Sequence, residues 1–227
     1  MLVQYAARCL FRTARRVLTT DLSWPTYRRA VENCAARTGR HVATVAIREP
    51  ILRSNWTTAD VADYMAREFV ARRCEALFLP AVDHLGIRVP VGEIVRRIRL
   101  QADLRFCLID AAQALAHVPL EDSFAHADVL IAGSHKWLGA YLPLGIGFWR
   151  GDEFAMCRTG DPLARFTAAF DGGELDGFSE TANLTPLLAC AGAVADRLNE
   201  PSHETFREVD RDDWLGSVTQ PPGAWHL

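Results

Sequence analysis

The chain has 227 residues, of which 49% are hydrophobic and 23% charged, enough to bury a sizeable globular core. A net charge of -3 without long single-sign runs argues against a nucleic-acid groove or a polybasic membrane patch. No apolar stretch reaches the ~20 residues of a membrane span, the N-terminus shows no signal-peptide pattern, and Cys9, Cys34, Cys74, Cys107, Cys157 and Cys190 form no CxxC pair, so reduced thiols in a cytoplasmic protein are expected and no zinc site.

Strand-like and helix-like segments alternate along the chain, the pattern of a mainly parallel α/β sheet. Arg16–Thr20 reads as a strand. Pro25 suits a first helical turn, and Tyr27, Val31 and Cys34 form a helical stripe running to Gly39. A second strand is expected over Val42–Ile47. A helix follows from Thr58, with Val61, Met65 and Phe69 at four-residue spacing. Ala76–Leu79 is a short buried strand and Val91–Ile98 a short helix whose Glu93, Arg96 and Arg97 face solvent. Leu104–Asp110 and Val129–Ala132 are two further strands joined by a crossover. Gly145–Trp149 follows after so short a loop that an antiparallel return is expected. Asp and Gly accumulate from Gly151 to Gly177, Asn183–Leu198 reads as a helix, and the remainder to Leu227 has no period.

Ligands of open α/β sheets bind beyond the carboxyl ends of the strands, and Asp21, Asp83, Asp110 and Lys136 all fall just after strand-like runs. The richest segment is Gly133-Ser134-His135-Lys136-Trp137-Leu138, which follows the run Asp128–Ala132. A lysine at a strand end can pack its stem on apolar walls, where desolvation frees a nucleophilic amine. Asp110 closes the run Phe106-Cys107-Leu108-Ile109 and reads either as a helix cap or as the anionic partner of a ligand. A strand-end lysine with a strand-end aspartate meets the needs of a pyridoxal phosphate site.

The segment from Leu108 to Trp149 resembles class V aminotransferases, a family that includes cysteine desulfurase-like enzymes. Three features carry the likeness: Asp110-x-x-Gln113, the pair His135-Lys136, and Gly145-x-Gly147, in family order and spacing. Weaker similarity runs from Val17 to Asn183. The resemblance implies the type I pyridoxal phosphate fold, an α/β three-layer sandwich on a mainly parallel mixed sheet, and a homodimer.

Residue by residue, the resemblance implies a Schiff base on Lys136, which also carries the proton of the substrate α-carbon. It pairs Asp110 with the pyridinium nitrogen; two unit charges at ~4 Å and an effective dielectric of ~20 attract by about 4 kcal/mol. It sets Gln113 against the ring hydroxyl, His135 and Ser134 near the phosphate, and Asp83 beside the cofactor. Trp24 stands where the family stacks an aromatic on the ring, packing being the other reading of so large a side chain. Thr181 matches a residue reaching the neighbouring subunit's phosphate, or else caps the helix after it.

Family members also carry a Gly/Ser/Thr-rich phosphate turn ahead of the Val17 strand and a small C-terminal domain. Met1-Leu2-Val3-Gln4-Tyr5 falls within the helix after that turn. Residues 1–199 are therefore expected to form a large domain incomplete at its N-terminus, and 200–227 the start of an absent small domain. The expected function is a pyridoxal phosphate-dependent transferase or lyase acting on an amino acid. The alternative is a degenerate relative that keeps the fold without tight cofactor binding.

Overall fold

A computed structural model describes residues 2–150, 173 and 183–199. Element order is α1 (Leu2–Thr13), β1 (Arg16–Thr20), α2 (Pro25–Arg37), β2 (His41–Val45), α3 (Arg48–Arg53), α4 (Thr58–Ala71), β3 (Ala76–Pro80), α5 (Val91–Arg99), β4 (Phe106–Asp110), α6 (Glu121–His126), β5 (Val129–Gly133), β6 (Gly145–Trp149) and α7 (Thr185–Asn199). The strands form one six-stranded sheet in the order β2-β1-β3-β4-β5-β6. All neighbours run parallel except β5 and β6, whose antiparallel pairing sets Gly133 opposite Gly145.

The two-residue period of the central strands produces the layers. Leu77, Leu79, Cys107 and Ile109 point to one face, where they join Val61, Met65 and Phe69 of α4 and Ile94 and Ile98 of α5. Ala76, Phe78, Phe106 and Leu108 point to the other and pack on Ala6, Ala7 and Leu10 of α1 and Val31 of α2. Helices on both faces explain why β3 and β4 are buried throughout rather than alternating. This is the α/β three-layer sandwich with a mainly parallel mixed sheet expected from the sequence.

Local signals set several boundaries. Thr57 and Asp60 form a reciprocal capping box that starts α4. Pro25 occupies the first turn of α2. The second strand ends at Val45, short of the expected Ile47, because Asp21 Oδ1 accepts the amides of Ile47 and Arg48 and so starts α3. Cys34, Cys74, Cys107 and Cys190 are free, and burial pushes the Cys74 thiol up to about 11. Cys9 is engaged in a disulfide, so the expectation of uniformly reduced cysteines does not hold; spacing along the chain says nothing of thiols that folding brings together. The expected tail, 200–227, lies outside the described residues, as does almost all of the Gly151–Gly177 stretch.

Core packing by α5 yields a direct test. Ile98 is fully buried whereas Leu100, two residues on, is 83% exposed. Ile98→Ala is expected to cost about 2–5 kcal/mol, read as a fall in the urea midpoint, and Leu100→Ala less than about 0.5 kcal/mol.

Candidate functional site

Parallel strands all release their loops at the same edge of the sheet. Pro80, Asp110 and Ile131 lie side by side in the ladder, so the ends of β3, β4 and β5 converge. A cavity of about 270 Å³ opens there, lined by Leu22, Trp24, Tyr27, Pro80, Val82, Asp83, His84, Asp110, Ala112, Gln113, Gly133, His135 and Lys136. It unites Asp83 and Asp110 with Lys136, whereas Asp21 is not among its lining residues.

Asp110 forms the floor. Its side chain is buried, and its Oδ1 accepts the amide of Ala112. Burial raises the carboxyl to about 6, while the Ala112 bond and the positive charge of Lys136 pull it back. Asp110 and Lys136 are thus electrostatically coupled across the cavity. Lys136 itself is exposed at the mouth rather than enclosed by the apolar walls expected for it.

The loop that presents Lys136 is fastened by its neighbours. Ser134 is fully buried; its hydroxyl donates to the Leu142 carbonyl and accepts the Leu144 amide, bridging the turn between β5 and β6. Ser134 therefore holds the loop and is not among the cavity-lining residues. Gly139, with φ at +79°, closes the turn by donating to the Lys136 carbonyl. A side chain at Gly133 would come within 2.9 Å of the His135 ring, so glycine there lets the imidazole fold back on the strand end.

One wall is aromatic. Trp24, the residue before α2, has its ring 5.3 Å from His84 in an edge-on contact and remains 46% exposed. Gln113 also lines the cavity, its Oε1 accepting the indole N–H of Trp137 at 3.2 Å, and Trp137 stacks on His117 at 3.7 Å. Asp83 is buried; its Oδ1 accepts the amides of Leu85 and Ile87, and its Oδ2 has no hydrogen-bond partner.

Lys136, Asp110, Gln113, His135, Trp24 and Asp83 thus meet in one cavity, Ser134 lies behind it, and Thr181 falls outside the described residues. Tyr27 went unnoticed in the sequence, where it served only as part of a helical stripe. Burial, then the charge of Asp110, raises its hydroxyl above the usual range, which puts it within electrostatic reach of the floor. Its signal was position: two residues past Pro25, it lies in a first helical turn beside a strand end. Among the described residues there is no cluster of three or more His, Cys, Asp or Glu side chains fit for a metal ion, and no helix long and apolar enough to cross a membrane.

The sequence pattern of the family described as Aminotransferase class-V matches residues 3–156, well over half of the chain and all of the cavity. The chain belongs to the class V aminotransferase family. No curated protein matches it. Solved structures share the fold of this class V chain at low identity. Ureidoglycine–glyoxylate aminotransferase from Bacillus subtilis is 17% identical with a TM-score of 0.60, over 87% of this chain and 50% of its own. Alanine–glyoxylate aminotransferase from Nostoc sp. is 18% identical with a TM-score of 0.62, over 88% and 52%. The cystine C–S lyase C-DES, in complex with its product cysteine persulfide, is 17% identical with a TM-score of 0.64, over 88% and 55%. The class V chain spans about half the length of these structures.

The raised Asp110 carboxyl makes a stability prediction. Its folded pKa, about 6, exceeds the ordinary value of 3.8, so its contribution is fully present below pH ~4 and is lost as pH rises through ~6. Asp110→Asn does not ionise. Its stability relative to wild type, measured by thermal unfolding without added ligand, is expected to rise by up to about 3 kcal/mol between pH 4 and pH 7.5.

Proposed function

We propose that this chain binds pyridoxal 5'-phosphate in the Asp110–Lys136 cavity and acts on an amino acid as a transferase or lyase. The observation that carries the reading is a buried carboxylate coupled to the positive charge of a lysine across a cavity with an aromatic wall. An electron-poor ring fits that donor set: an anion at the floor, an amine at the mouth, and an indole face at the side. When bound, the cofactor supplies an electron sink for charge developing at the substrate α-carbon.

Each residue has a distinct task. Asp110 holds the proton on the ring nitrogen, and its own carboxyl ionises fully once a cation replaces water beside it. Lys136 Nζ is the covalent anchor and the group that takes and returns the α-proton. Gln113 donates its amide N–H to the ring hydroxyl oxygen, since its own oxygen is held by Trp137. Trp24 excludes water from one ring face, and His135 reaches toward the phosphate with Thr181 from a neighbouring subunit. Residues 1–199 serve as the cofactor-binding domain, with 200–227 leading toward a small domain.

Adding pyridoxal 5'-phosphate to the purified chain is expected to give a visible absorption band. Borohydride is then expected to fix the cofactor on the peptide containing Lys136, and Lys136→Ala to abolish the band. A label on another residue overturns the assignment. Absence of any band favours the second reading, a relative that keeps the fold without tight cofactor binding.

The same reading makes the chain a homodimer, supported by the exposure of Tyr141 beside the lysine loop and of Leu188 and Leu198 on α7. Sedimentation equilibrium is expected to return twice the 25.2 kDa chain mass; a monomer at micromolar concentration overturns it.

A further inference from the structure

The loop between β3 and α5 holds one exposed imidazole at the cavity. Asp83 is buried, and its Oδ1 accepts the amides of Leu85 and Ile87 at 2.8 and 2.9 Å. Its own amide donates to the Ile87 carbonyl, and Gly86, with φ at +89°, turns the chain back. Val82 pairs with Arg88 across the base of this turn. Carboxylate and backbone together fix a tight tip, and His84 stands on it, exposed to solvent.

His84 also lines the cavity, and its ring lies 5.3 Å from that of Trp24 at an interplanar angle of 69°. An edge contact of this kind orients an imidazole without using its nitrogens. Among the described residues, neither nitrogen has a hydrogen-bond partner. The loop thus delivers an imidazole that offers an N–H donor whether neutral or protonated. The other donors along the wall are less free. Lys136 and Gln113 have tasks on the cofactor in the reading above, and Trp24 gives its face to the ring. His135 is folded against Gly133 at the end of β5. Tyr27 lies within reach of Asp110, whose negative charge opposes an anion there. An amino acid entering the cavity brings a carboxylate that needs a donor once water is displaced.

We infer that His84 binds the carboxylate of the amino acid substrate and makes the free acid, rather than its amide, the preferred form. The inference rests on the cofactor reading above and adds to it the residue that reads the substrate. The buried Asp83 turn is then the support that keeps this imidazole against Trp24.

His84→Phe tests this, since it keeps a ring beside Trp24 and removes both nitrogens. Glycine and glycinamide are the probes, alike except for the carboxylate and free of any side chain to select. Each is titrated into wild type and variant loaded with pyridoxal 5'-phosphate and cleared of unbound cofactor. The change in the visible band gives a dissociation constant without turnover. The affinity for glycine relative to glycinamide is expected to fall about tenfold in His84→Phe, as for one hydrogen bond to a charged acceptor, with glycinamide itself unchanged. The same ratio in both proteins overturns the inference and leaves the cofactor reading intact. An equal loss of affinity for both probes also overturns it, because a displaced loop does not distinguish a carboxylate from an amide. Loss of the band in His84→Phe alone sets His84 on the cofactor instead of the substrate and overturns it too. A wild type without any band overturns both readings.

Discussion

The site depends on one electrostatic arrangement, a carboxylate buried at the end of a central strand and balanced by an ammonium at the mouth of the same cavity. Burying a charge is costly unless something offsets it. At Asp110 the offsets are a single backbone amide and the charge of Lys136, and they leave the carboxyl raised rather than normal. The floor is under-compensated within the protein alone. A cationic ring nitrogen supplies what is missing, so the chain's own electrostatics favour the ligand that the family relation suggests.

Everything else in the fold serves to bring those two groups together. Asp110 is held by β4, flanked on both sides by parallel strands, and Lys136 follows β5, the next strand in the sheet. The parallel ladder fixes their relative height, because a one-residue slip would turn Asp110 to the other face and away from the cavity. Helices on both faces then fix the register through the core, so packing far from the chemistry decides where the carboxylate points.

The sheet and its layers were legible in the sequence because the strands are uninterrupted apolar runs and the helices carry clear stripes such as Val61, Met65 and Phe69. Short α3 and α6 were not, since six residues hardly complete two turns and their starts depend on partners distant in sequence, as Asp21 is for α3. At the site, Asp110, Gln113 and Lys136 stood out by chemistry and spacing. Ser134 stood out as a hydroxyl next to the lysine, and only the β5–β6 turn reveals that Leu142 and Leu144 are its hydrogen-bond partners. Tyr27 was hidden for the opposite reason: its aromatic ring counted as core until the fold set its hydroxyl near Asp110.

The backbone carbonyl of Trp137, next to Lys136, accepts a hydrogen bond at 2.9 Å from Arg197, sixty residues away on α7. Closing so large a loop is entropically unfavourable and must be offset by docking of the whole helix. The turn that carries the lysine is thus fastened from two directions, by the local Ser134 bridge and by this distant guanidinium. The first can form as soon as the hairpin does, the second only when α7 arrives. A chain with a complete sheet therefore still lacks one of the two fastenings of the Lys136 turn until its last described helix has docked.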